Sequence, residues 1–159
     1  MTSQNTPSPS HAVAPANPAQ TPAPAPAPAL TNLVVAMLSV FEGCYLNSYR
    51  DSGGVWTIGY GHTKGVQANQ TITHDEAVKL LLEDISGLIH LVQDKPVCEA
   101  AALVDFGYNC GEGWLLAVLS GKASVADPRH THDRHGNVLP GLVKRRNFEI
   151  AMIEAARER

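Results

Sequence analysis

Eight of the eleven prolines of this chain fall within residues 1–30, and no Asp, Glu, Lys or Arg occurs there. Proline alternates with alanine over residues 22–28. Each proline removes a backbone donor and fixes φ, and the alanines between them bury too little apolar surface to offset the entropy of ordering. Residues 1–30 are therefore expected to form a disordered Pro/Ala-rich tail of partly polyproline character. Whatever folds must do so within residues 31–159, a length suited to one domain with its own core. The tail has no basic start and no continuous apolar stretch, so it does not read as a secretory signal. The apolar run LVVAMLSVF at residues 33–41 is far shorter than the ~20 residues a bilayer span needs. A soluble protein without stable membrane insertion is expected.

Thr31 offers an N-cap for a first helix, LTNLVVAMLSVFEG, apolar enough to be buried on most sides and stopped by Gly43. Glu42 then sits in the last turn, where the helix dipole disfavours negative charge and favours a protonated acid. Beyond it, Asp51, Ser52, Gly53 and Gly54 signal a turn, and residues 55–62 alternate with period two, predicting a small antiparallel hairpin. Val55, Thr57, Gly59 and Gly61 share one face; Trp56, Ile58, Tyr60 and His62 share the other, which reads as core. Glycines weaken a strand unless something must approach the backbone closely, and a sugar ring in a groove is such a thing. Asp51 follows Glu42 by nine residues and Thr57 follows Asp51 by six. A glycosidase commonly uses two carboxyl groups flanking the bond it cuts, one protonated and one ionised.

Thr73 and Glu76 form a capping box for the helix HDEAVKLLLEDISGLIHLVQD, in which Ala77, Leu80, Leu81, Ile85, Leu88, Ile89 and Val92 recur at helical spacing. This helix should join the hairpin lobe to a helical lobe. CEAAALVDFGYNCGEGW reads as a buried helix through about Asn109, stopped by Gly111 and Gly113, and residues 114–119 as a short apolar helix. Residues 122–137 are polar and expected to be the least ordered part of the domain. LPGLVKRRNFEIAMIEAARER reads as a final amphipathic helix with Leu142, Val143, Phe148, Ile150 and Ile153 available for packing. The pattern predicts an α+β fold, mainly α-helical, with one small sheet.

Other features carry less chemistry. Cys44, Cys98 and Cys110 make no CxxC pattern; buried free thiols are expected, with a Cys98–Cys110 disulfide as the alternative. His130, His132 and His135 near Asp127 and Asp133 invite a metal, but their spacing matches no zinc pattern and none is expected. The net charge of -3 divides into five basic against ten acidic residues over 31–126 and seven against five over 127–159, too weak a basic end to indicate nucleic acid. Lys144, Arg145 and Arg146 read equally as contacts for polymer carboxylates or as solvated charges.

The motifs FEG, YRDSGGVWTIGYGHT, ITHDEAVKLLLEDI, ALVDFGYNCG and VLPGLVKRR, in that order and over roughly residues 40–155, resemble those of the phage-type lysozymes, the endolysins that cut bacterial peptidoglycan at lysis. The resemblance implies a lysozyme-like fold over residues 31–159, with an active-site cleft between the hairpin and helical lobes. It implies a muramidase that needs no cofactor and hydrolyses the bond between N-acetylmuramic acid and N-acetylglucosamine. Glu42 matches the catalytic acid, Asp51 the second carboxylate and Thr57 the residue that helps place the attacking water. Gly59, Gly61 and Asn109 become substrate contacts, and His62 and Asp84 fall where the family can form a buried structural ion pair. A lytic transglycosylase, or a non-catalytic peptidoglycan-binding module of a virion or secretion apparatus, are the alternatives. A monomer made in the host cytoplasm and acting on the wall after release or export is expected. Two departures are a shortened stretch between Asn109 and Gly141, implying a reduced far wall of the cleft, and a slightly acidic domain, implying weaker attraction to an anionic wall.

Overall fold

The first helix starts earlier than a Thr31 cap allows: α1 spans Pro28–Glu42. Proline suits a first helical position, since its fixed φ is helical and its missing N–H would be unpaired there anyway. The computed structural model describes residues 28–158, so the tail expected over residues 1–30 lies, up to residue 27, outside the described residues. Residues 28–30 belong to the domain instead, and Leu30 is buried in its core. Only the stripe Leu30, Val34, Met37 and Leu38 of α1 is buried, not most sides as expected; Val40 is 79% exposed.

Gly43, at φ 70, turns the chain out of α1 in a conformation open to glycine. Strand β1 (Tyr45–Arg50) then pairs antiparallel with β2 (Trp56–Gly59), with Tyr49 opposite Thr57 and Arg50 opposite Trp56. The strand ends at Gly59 rather than running to residue 62, because the chain doubles back and Ile58 bridges His62. Both faces of β2 are covered: Thr57, Ile58, Gly59 and Tyr60 are all buried.

Helix α2 (His74–Leu91) opens with the expected capping box, Glu76 N donating to Thr73 Oγ1 at 3.2 Å and Thr73 N donating to Glu76 Oε2 at 2.7 Å. Its buried stripe, Ala77, Leu81, Ile85, Leu88 and Ile89, follows the predicted spacing, with Leu80 half-buried at its edge. Helix α3 (Val97–Cys110) is the centre of the domain and packs against α1, α2, α5 and α4 (Glu112–Leu119). Every residue of α3 from Glu99 to Gly107 is buried. Gly107 lies mid-helix because a Cβ there would stand 2.9 Å from Leu115 Cδ2, closer than packed carbons approach. Gly111 separates α3 from α4, whereas Gly113, expected to share that role, lies within α4.

The polar segment before the last helix holds a 3₁₀ turn (Pro128–Thr131), capped by Asp127, whose Oδ1 accepts from Arg129 N at 2.9 Å. Three histidines of this region have separate surroundings. His132 Nδ1 is 2.6 Å from Pro128 O, and His135 Nε2 accepts from Arg134 Nε at 3.1 Å. His130 is buried edge-on between the rings of Phe106 (4.9 Å) and Trp114 (4.8 Å), and its Nε2 has no partner. Burial above all lowers the pKa of His130, with Asp127 opposing. The folded state therefore favours the neutral ring. As pH falls below the ordinary imidazole value of ~6.5 the unfolded chain takes up the proton first, and the stability contributed by neutral His130 is progressively lost. Thermal unfolding at about pH 7 and about pH 5 should show a lower Tm at the acid end, and a His130→Phe variant should show a smaller drop.

Helix α5 (Pro140–Arg157) departs most from its amphipathic reading. Its buried residues are Arg145, Arg146, Glu149 and Ile153, while Leu142 and Val143 are only half-buried and Phe148 is 46% exposed. Arg145 and Arg146 are thus neither solvated charges nor free contacts for a wall polymer. Arg145 faces into the domain toward the Glu42 and Asp105 carboxylates of α1 and α3, and Arg146 toward Glu149 on its own helix and Cys110 Sγ of α3.

Candidate active site

Glu42 closes α1, so its carboxyl leaves the helix where the last carbonyls also point. Arg145 reaches it from α5: Nη1 donates to Glu42 Oε1 at 2.6 Å. The other edge of the guanidinium forks onto Asp105 of α3, Nε to Oδ2 at 2.9 Å and Nη2 to Oδ1 at 3.0 Å, and its face lies 5.0 Å from the Phe41 ring. Burial opposes the charge on Arg145, but the Asp105 and Glu42 carboxylates outweigh it and raise the guanidinium pKa above its ordinary value. Glu42 thus has, beyond the helix end, a full positive charge in contact with its carboxyl.

Glu42 lines a cavity of about 360 Å3 together with Gly61, Thr63, Lys64, Asp84, Tyr108 and Asn109. Gly61 and Asn109 line the same cavity as Glu42. At Gly61 (φ 111) an added Cβ would meet Tyr108 Oη at 3.3 Å, so a side chain there would crowd the wall. Tyr108 Oη donates to Tyr60 O at 2.9 Å; burial, then Asp84 and Glu42, push its phenol well above the usual range and keep it a donor. His62 Nδ1 stands 2.9 Å from both oxygens of Asp84, and His62 Nε2 is 2.9 Å from Lys64 O. That pair ties the end of the hairpin lobe to α2. Asp84 faces the cavity as well.

Asp51 and Thr57 do not line this cavity. Asp51 is held by its own turn, Oδ1 accepting from Gly53 N at 2.9 Å and Val55 N at 2.8 Å, which leaves Oδ2 outside those bonds. Thr57 is buried and its hydroxyl donates to Val55 O at 3.1 Å. Tyr49 lies opposite Thr57, and burial, then the charges of Tyr45, Asp51 and Glu42, raise its pKa. Both carboxylates thus act on one phenol.

Gly59 corrects the sequence reading. Gly59 is buried, and its φ of 64 is what favours glycine there; an added Cβ would make only ordinary contacts, with Ala77 Cβ at 3.4 Å and Ile72 Cδ1 at 3.6 Å, so backbone conformation and not room for a sugar accounts for it. The cysteines are free thiols as expected, but none is buried. Cys98 is exposed, and Cys110 Sγ lies 2.7 Å from Arg146 Nη1 instead of pairing with Cys98. Sequence reasoning missed Thr63, Lys64 and Tyr108 as cavity residues, although the GHTK run beside two glycines marked the approach to it.

A family model described as phage lysozyme matches residues 39–149. The endolysin of Acyrthosiphon pisum secondary endosymbiont phage 1 is 28% identical over 139 residues, covering 77% of this chain and 95% of the relative. A SAR-endolysin of Enterobacteria phage PA-2 is 30% identical over 122 residues, covering 68% of this chain and 74% of the relative. Among solved structures, the muramidase domain of SpmX from Asticaccaulis excentricus superposes with a TM-score of 0.63 at 26% identity, over 76% of this chain and 93% of that one. The mainly helical α+β fold is that of these lysozyme-like neighbours, and the matched stretch contains Glu42, the hairpin, the cavity and the arginine that holds the acid. The chain belongs to the phage lysozyme family of peptidoglycan-degrading enzymes.

Proposed function

We propose that the chain is a muramidase, hydrolysing the glycosidic bond between N-acetylmuramic acid and N-acetylglucosamine in bacterial peptidoglycan. The observation that carries this reading is Glu42 in the cavity wall, with a second carboxylate, Asp51, on the hairpin lobe. In this scheme Glu42 gives its proton to the leaving oxygen, and Asp51 takes a proton from water or offsets the charge that develops on the sugar. Thr57 spends its own hydrogen on Val55 O, so its oxygen remains an acceptor for that water. Gly61, Asn109 and the Tyr108 phenol supply surface and polar contacts for the glycan. An inverting course needs the two carboxyl groups ~6.5–9.5 Å apart, leaving room for the water.

The protein would act alone, as a monomer without cofactor, on wall reached after release or export. Among the described residues no helix is long and apolar enough to cross a membrane. Mass spectrometry of fragments released from purified peptidoglycan tests the chemistry. Hydrolysis should add one water per bond cut and leave reducing N-acetylmuramic acid ends. Anhydro ends would assign a lytic transglycosylase instead, and binding with no release would assign a non-catalytic wall-binding module.

A further inference from the structure

Five ionisable side chains from three helices meet behind the cavity: Glu42 on α1, Asp105 on α3, and Arg145, Arg146 and Glu149 on α5. Three are acids and two are bases. With every group ionised, the cluster would carry an unbalanced negative charge among side chains of which Asp105 and Glu149 are 0% exposed. An unpaired charge in such a place is strongly disfavoured, so the cluster should retain one carboxyl proton.

The geometry shows where that proton can go. Arg145 spends one edge on Asp105 and its remaining Nη1 on Glu42. Glu149 Oε1 lies 2.5 Å from Arg146 Nη2 and 3.7 Å from Arg145 Nε, while Glu149 Oε2 has no partner. From α3, the Asp105 carboxyl acts on Glu149 and Cys110 Sγ lies 2.7 Å from Arg146 Nη1; from the 3₁₀ turn, His130 is close enough to feel the charge of Arg146. Burial, then the Asp105 carboxyl, push the Glu149 pKa up to about 9 against the pull of Arg146 and Arg145. With Glu149 neutral, the two arginines are matched by Asp105 and an ionised Glu42, the arrangement in which Arg145 grips Glu42. With Glu149 ionised, the arginines are matched by Asp105 and Glu149, and Glu42 can hold a proton at no net charge.

We propose that Glu149 is a positioning residue that sets, through Arg145, whether Glu42 carries the proton it must donate. The inference rests on Glu42 being the general acid. No atom of Glu149 needs to touch substrate, since its charge reaches Glu42 through the shared guanidinium. One proton moves between two carboxyl groups, so the cluster's total charge is unchanged.

Glu149→Gln keeps the shape and removes the ionised alternative, leaving Glu42 bound to Arg145 as a carboxylate. On purified peptidoglycan the alkaline limb of kcat should move down by about one pH unit, lowering kcat near neutrality about tenfold with KM changed less than about twofold. Glu149→Asp, which restores a carboxylate, should recover most of that loss. A Glu149→Gln enzyme that folds and keeps the wild-type pH profile would overturn the proposal, as would an equal loss in Glu149→Asp. If the glutamine variant fails to fold, wild-type protein with ¹³C-labelled glutamate carboxyls decides: the Glu42 and Glu149 resonances should shift together in shared pH steps. Independent titration of the two would overturn the coupling. Should the wild type release no saccharide, the reading of Glu42 as acid fails, while the carboxyl titration still decides the coupling.

Discussion

Replacing Arg145 by methionine is expected to destabilise the fold by about 3–5 kcal/mol, the usual consequence of removing one member of a buried ion pair. Methionine fills much of the aliphatic volume but leaves Asp105, which is fully buried and bonded to Arg145 through both carboxyl oxygens, without a cation. For a domain of this size the Tm should fall by about 6–20 °C, read by circular dichroism near neutral pH. Removing the stranded charge as well, in Arg145→Met with Asp105→Leu, should recover part of the loss, because a matched apolar pair avoids the unpaired carboxylate. A single variant melting within about 2 °C of the wild type would mean that the fork between α3 and α5 holds little of the domain together. Such a result would also remove Arg145 as the rigid mount for Glu42.

Glu42→Gln should reduce peptidoglycan cleavage by about a hundredfold to ten-thousandfold, the range that general acid catalysis supplies. The amide oxygen can still accept from Arg145 Nη1, so the fold and the cavity wall should persist. The loss should appear in kcat, with KM and pelleting with insoluble wall little changed, since the group acts on the leaving oxygen and not on ground-state binding. Retained cleavage would show that the proton comes from elsewhere. Lost wall binding with equal loss of cleavage would make Glu42 a contact rather than an acid.

Local signals in the chain foretold the parts of this structure that local chemistry decides. The capping box at Thr73 and Glu76, the spacing of Ala77 through Ile89, and the turn at Asp51 depend on neighbours a few residues away, and each forms as read. Position at a helix end likewise put Glu42 where it is found. What escaped the sequence depends on distant partners. Arg145 and Arg146 look like surface charges until α3 brings Asp105 and Cys110 to them, 40 and 36 residues away. Gly59 looks like a place kept bare for sugar until the buried backbone there turns to a positive φ, which glycine adopts without strain. Phe148 and Val40 look like core residues by type, yet the burial of charged groups on α5 turns Phe148 outward, and Val40 lies off the buried stripe of α1.

The same contrast applies within the site. Glu42, Gly61 and Asn109 meet in one cavity because a helix end, a glycine turn and the end of α3 are all anchored by core packing. Asp51 and Thr57 sit on the hairpin, held by their own turn and strand rather than by the cavity wall. The roles proposed for them rest on what each can still offer, a carboxylate oxygen outside the turn bonds and a hydroxyl oxygen.

The central claim, that Glu42 and Asp51 make this chain a hydrolase of glycosidic bonds in peptidoglycan, is tested most directly by counting new reducing ends released from purified peptidoglycan. The wild-type chain should release them steadily, Asp51→Asn should release them far more slowly, and Glu42→Gln should release essentially none over the same time. Wild-type protein that binds the wall and generates no reducing ends, or a Glu42→Gln variant that generates as many as the wild type, would contradict the account.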